Sequence, residues 1–274
     1  MYIMEKLNFF LIIILISFSN ELDWRYDPTC RLGRLQSPIA IKESDSTYSN
    51  DFSFVYQDYK EIPSVIMENK TDYYTLTTEI TNGGYINFER KGVIKQYKFI
   101  RAELYPALHT IDNDNFDYEL HLVHEKILSF KTNKNQYRRI TDPNTFLTVV
   151  LRYKNDCSQV SCTSDNGLIS DLLGGGFEGL SKYAFFQEKR AYFYEGSSLH
   201  NNCDENVNYY IVKDFFHNDK EQIEEKDIHF TKLKPFNKFG RPIYRNFMNL
   251  KEVLKTNFIS VKIITLFLWI FILI

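Results

Sequence analysis

The segment Phe116-Asp117-Tyr118-Glu119-Leu120-His121-Leu122-Val123-His124 constrains the fold most. Across residues 119–123 polar and apolar side chains alternate, which is the period of a strand with two unlike faces. Glu119 and His121 then share one face, and Leu120 and Leu122 share the other. His121 and His124 are three apart, so a regular strand points them to opposite faces and cannot offer both to one ion. Other segments agree with a β-rich chain. Phe146-Leu-Thr-Val-Val-Leu-Arg-Tyr153 is a β-branched run of the kind found in a buried central strand, and Asn208-Tyr-Tyr-Ile-Val-Lys213 is another. Asn82-Gly83-Gly84 is a turn signal followed by alternation to Phe88. The 23 Phe and 19 Tyr suit such a core, because flat rings pack well on pleated surfaces. Helical period is weak, at residues 166–173 and 219–225. One β-dominated domain is the expectation.

Both ends of the 274-residue chain are apolar. Residues 1–19 read as a secretory signal: Lys6 precedes the apolar run, and Ser17-Phe18-Ser19 places small residues for cleavage. Residues 258–274 form a hydrophobic tail, read as a lipid-anchor signal or a short transmembrane helix. Residues 20–250 remain for a folded domain large enough to bury a real core. The net charge is −2 and the basic residues are scattered, which excludes nucleic acid as a partner. Of the four cysteines, Cys157 and Cys162 are spaced for a local bridge, which leaves Cys30 and Cys203. Three pairings are formally open, and a four-cysteine metal site is the rival. Asn69-Lys70-Thr71 is a glycosylation sequon, consistent with the secretory route.

Several other motifs carry little. Gly174-Gly-Gly-Phe-Glu-Gly179 has dinucleotide-loop spacing but no surrounding strand-to-helix crossover, so it reads as a turn. Asp112-Asn-Asp-Asn-Phe-Asp117 lacks the glycine of a calcium loop and reads as a solvated turn. Ser197, His200 and Asp204 have the residue types of a hydrolytic triad without a strained nucleophile turn.

The order of a further set of motifs is more specific. Trp24-Arg25-Tyr26, Cys30, Gln36-Ser37-Pro38-Ile39, Asn82-Gly83-Gly84 and His109-Thr110-Ile111-Asp112 come first. Then follow Glu119-Leu-His-Leu-Val-His124, Tyr194-Glu-Gly-Ser197, Cys203-Asp-Glu-Asn-Val207, and Arg241-Pro242 with Arg245. Over residues 22–247 the chain resembles the α-class carbonic anhydrases. The resemblance implies a mainly β (α+β) single domain, with a large twisted, mostly antiparallel central sheet and short peripheral helices. It also implies a Cys30–Cys203 disulfide.

That family binds zinc with three histidines, two of them two apart on one strand. The zinc lowers the pKa of its bound water to near 7, and the resulting hydroxide attacks carbon dioxide. Here the resemblance places His121 at the third ligand and Glu119 as the group that orients it. Glu103 and Tyr105 stand at the two other ligand positions. Leu199 and Leu108 replace the threonine and glutamate that orient the hydroxide, and Gly84 replaces the proton-shuttle histidine. Val123, Ser198 and Tyr209 are expected in the pocket wall. The expectation is a domain with no cofactor and no intact catalytic set, His121 being a remnant of a metal site. Such a domain would act as a membrane-tethered binding or adhesion module on the extracellular or lumenal face, toward a protein or polysaccharide ligand. The alternative is a divergent zinc-dependent carbonate dehydratase using Glu103 and His121.

Overall fold

The computed structural model describes residues 35–58, 66–69, 74–77, 84–112, 114, 116–131, 137–158, 160–164, 168–173, 189–199, 205–217, 241–248 and 252. The signal segment, the apolar tail, Asn82, Gly83, residues 174–179, His200, Asp204, residues 219–225 and the pair Cys30 and Cys203 lie outside them.

The strands are β1 (Ala40–Ile41), β2 (Thr47–Tyr48), β3 (Phe52–Asp58), β4 (Ile66–Asn69), β5 (Tyr74–Thr77), β6 (Tyr85–Arg90) and β7 (Val93–Pro106). They continue as β8 (Thr110–Ile111), β9 (Tyr118–Lys131), β10 (Tyr137–Lys154), β11 (Cys162–Thr163), β12 (Ala191–Gly196), β13 (Val207–His217) and β14 (Tyr244–Arg245). A short helix, α1 (Leu168–Leu173), falls inside the weak helical period at 166–173. Among the described residues the main sheet has 12 strands, ordered β2-β14-β12-β13-β10-β9-β7-β5-β4, with β6 beside β7, β3 beside β6 and β11 beside β13. Most pairings are antiparallel. The sheet is nevertheless mixed, because β10 and β13 run parallel through its centre.

Alternation sorts the side chains onto two faces. Leu120 and Leu122 of β9 join Ala102, Leu104, Leu147, Val149, Leu151, Phe193 and Tyr210 in the larger apolar core. Val150, Tyr192, Tyr194, Tyr209 and Ile211 point the other way, into a second core with Ile39, Ile41 and Ile243. His124 lies on the first face. Its Nδ1 bonds the Leu147 carbonyl at 3.0 Å, and its ring packs 5.4 Å from Phe99. His121 lies on the second, so the two histidines diverge as the period requires.

Two buried arginines tie the sheet to its loops. Arg152 is 0% exposed, donates to the Val212 and Lys213 carbonyls, and stacks 4.5 Å over Phe215. Its Nη1 reaches Asp114 at 3.2 Å. Asp112 and Asp114 are exposed, and both also bond neighbouring elements: Asp112 adopts φ 49° and accepts from the Glu43 amide, while Asp114 pairs with the core arginine. Arg245 donates to Ser46 and to both carboxylate oxygens of Glu252. Cys157 and Cys162 form the local disulfide, with Cα atoms 5.9 Å apart. Asn69 ends β4 opposite Tyr74 in the β4–β5 pair. Among the described residues, no helix is long and apolar enough to cross a membrane.

Candidate functional site

The register of β7 and β9 builds the site. Glu103 pairs with His121 and Tyr105 with Glu119, so all four fall on the second face of the sheet. A bulge between Phe99 and Arg101 resets the alternation of β7, so that Arg101, Glu103 and Tyr105 follow one another on that face. Arg101 and Glu103 open onto a cleft of about 290 Å³, open solvent at its mouth included, which is also lined by Val123, Thr148, Ser198, Leu199 and Tyr209; Tyr105 is buried and is not part of that lining. The expected wall residues Val123, Ser198 and Tyr209 are thus together with Glu103, His121 and Leu199. Gly84, at φ 83° just before β6, is absent from the lining. Leu108 is buried and clusters with Tyr105 and Leu199, of which Leu199 lines the cleft.

One side of the site is a buried polar network centred on Glu119, which is 0% exposed. Its Oε1 accepts the amides of Leu108 at 3.2 Å and His109 at 2.7 Å. Its Oε2 accepts His109 Nδ1 and His121 Nε2, each at 2.8 Å. Burial opposes the charge, but the field and hydrogen bonds of His109, and then those of His121, outweigh it and hold the carboxyl well below its ordinary range. Burial likewise pushes the His121 imidazole down, against the pull of Glu119, and keeps it neutral. With its proton on Nε2, facing Glu119, the unprotonated nitrogen of His121 is Nδ1. His109 continues the network, its Nε2 lying 2.7 Å from the Tyr194 hydroxyl, which bonds Ser37 at 3.1 Å. Ser197 is also 0% exposed, held by the Ser37 amide and by Gln36, so its hydroxyl is a structural member here. Gly196 admits no side chain, because a Cβ would lie 2.2 Å from Ser37 Oγ.

The other side is of a different kind. Arg101 Nε is ion-paired with Glu103 Oε1, and the Tyr105 hydroxyl donates to Glu103 Oε2 at 3.0 Å. The Tyr105 ring packs 4.7 Å from the His121 ring. Tyr105, Leu108 and Leu199 make a small apolar cluster of their own, buried to 3%, 1% and 7% exposure. Arg101, Phe146, Thr148 and Val207 join the site without having been expected in it. Arg101 had a signal, being two residues before Glu103 on the same strand face.

Three groups among the described residues lie close enough to hold a metal: His109, Glu119 and His121, with ligand atoms all within 4.8 Å. These atoms already bond one another, and the remaining nitrogen of His109 is taken by Tyr194. A tetrahedral zinc with one open position needs three ligands at about 2.0–2.2 Å. Of the residues that the resemblance implies for the ligand positions, His121 offers an imidazole, Glu103 a carboxylate engaged at both oxygens, and Tyr105 a phenol.

A family model for the eukaryotic-type carbonic anhydrase matches residues 19–253. Alpha carbonic anhydrase 6 of Arabidopsis thaliana is 27% identical over 134 residues, covering 47% of this chain and 49% of the relative. Alpha carbonic anhydrase 4 of the same plant is 26% identical over 186 residues, covering 67% and 62%. The chain thus spans about half to three-fifths of the length of these curated relatives. The fold also matches the crystal structure of dioscorin complexed with ascorbate, with TM-score 0.58 and 16% identity over 83% of this chain and 93% of that one. The chain belongs to the eukaryotic-type carbonic anhydrase family.

Proposed function

We propose that this domain neither holds a catalytic zinc nor hydrates carbon dioxide, and that it works as a binding or adhesion module. The observation that carries the reading is the packed cluster of Tyr105, Leu108 and Leu199. These residues stand where the family keeps a ligand, the glutamate and the threonine. Their departures touch one another, so a polar, reactive corner has become a coherent apolar one. The donor set also does not fit a tetrahedral zinc. Tyr105 is a phenol whose ordinary pKa near 10 makes it a poor ligand at neutral pH. Glu103 is already neutralised by Arg101.

The signal-like residues 1–19 and the apolar tail 258–274 support display on the extracellular or lumenal face of a membrane, tethered by the tail. The Cys157–Cys162 bridge suits that oxidising route, as would glycosylation at Asn69. The ligand is then a protein or a polysaccharide. The second reading, a divergent zinc-dependent carbonate dehydratase, draws on His121 with its orienting Glu119 and on nearby Glu103. Elemental analysis of the purified protein separates the two. A metal-free protein is expected, and stoichiometric zinc retained through dialysis would sink the binding-module reading.

A further inference from the structure

We propose that Arg101 is the resident cation of this site, a guanidinium standing in for a metal's charge between Glu103 and His121 and keeping divalent metal out. The inference rests on the reading that the wild-type domain holds no zinc. Glu103 has a side chain only 4% exposed, and a buried carboxylate persists as an anion only beside a compensating positive group. The described neighbours identify that group. Arg101, on the same strand face, is ion-paired with Oε1, while Tyr105 caps Oε2 at 3.0 Å. His121 faces Glu103 directly across the β7–β9 register. A metal ligated by the Glu103 carboxylate and the His121 imidazole would have to compete with Arg101 at Oε1 or with the Tyr105 hydroxyl at Oε2. It would also bring a second cation into a cleft that Arg101 itself lines. The two charges repel strongly where water is scarce, so metal and guanidinium are alternatives for one place. Arg101 is more exposed than its partner, at 27% against 4%. It can therefore be removed from the mouth of the cleft without opening the core.

Titrating purified protein with Co²⁺, followed by its visible absorption, and with Zn²⁺, followed by calorimetry, tests the idea. Wild type and Arg101→Lys, which keeps the charge, should show no saturable binding. Arg101→Gln should gain saturable binding of both ions, at least about tenfold tighter than any residual wild-type association. Adding Glu103→Gln or His121→Ala to that variant should abolish the gain. A folded Arg101→Gln protein that binds no better than wild type would overturn the role of Arg101 while leaving the absence of zinc intact. Tight zinc in the wild type would defeat both that role and the reading beneath it. Should Arg101→Gln not fold alone, it is refolded with and without Zn²⁺. Recovery by Zn²⁺ supports the proposal, and failure of Zn²⁺ to recover it overturns it.

Discussion

The two sides of the cleft come from neighbouring strands, yet they are held together by different physics. On the β9 side, Glu119 gathers two backbone amides and two imidazoles, and the network runs on through Tyr194 to Ser37. On the β7 side, an ion pair covers Glu103, and beyond it Tyr105, Leu108 and Leu199 meet through apolar contact. The polar side has a structural task that is independent of any reaction. Each of its groups is buried and would be costly to leave unpaired. Beyond the Glu103 ion pair, Leu108, Leu199 and the Tyr105 ring fill space, and space can be filled by leucine and tyrosine. On the proposed reading, the scaffold keeps the half of an active site that the fold needs, and the half that only the reaction needs is rebuilt.

The sharpest way to break this comparison is to remove Glu119. Glu119→Ala strands two histidines and two amides in the interior, and chemical denaturation should show a loss of roughly 3–5 kcal/mol. A loss within the range of a surface change would mean that the polar side is not structural.

A second measurement contrasts the two faces of β9. Burial lowers the His124 imidazole from about 6.5 to about 4, with partial compensation from the Leu147 and Leu122 backbone. The folded state thus resists a proton that the unfolded chain accepts. Stability should be unaffected by His124 above pH 6.5, fall as pH drops from about 6.5 to about 4, and level off below. The full span corresponds to about 3 kcal/mol. In His124→Gln that part of the acid slope should vanish. Glu119, whose carboxyl is depressed, stabilises above the ordinary carboxylate range near 4.5 and loses that contribution only at lower pH, so the two windows separate. An unchanged slope in His124→Gln would show that its buried neutrality is not what the acid limb reports.

A third measurement sharpens the β7 side. Glu103→His with Tyr105→His restores the family's ligand types and should bring zinc into the cleft. Hydration should still stay about a hundredfold or more below that of an intact site, a barrier deficit just under 3 kcal/mol. Leu199 cannot accept the hydroxide's hydrogen bond, Leu108 cannot hold a threonine, and Gly84 has no titrating group. Full recovery in a stopped-flow assay would show that the apolar cluster is irrelevant to activity.

Much of this arrangement is legible in the sequence because alternation along a strand is a local property. Glu119 with His121 and the divergence of His124 follow from period two, whereas the place of positions 103 and 105 beside them was implied by the family resemblance alone. Non-local facts are not encoded that way. The parallel pairing of β10 with β13 joins segments whose partners are set by the whole sheet, and it is what brings Val207 and Tyr209 beside Phe146 and Thr148 at the cleft. The bulge beside Arg101 decides that residue's place, and a lone arginine on a strand reads first as solvated. Asp114 was equally opaque, because its partner Arg152 lies 38 residues away in a buried strand.

The most direct test of the central claim is carbon dioxide hydration by the purified protein, measured with Zn²⁺ in excess and with and without a sulfonamide. The account predicts a rate no greater than that of zinc-containing buffer and no effect of the sulfonamide. Zinc-dependent turnover that the sulfonamide abolishes would contradict it.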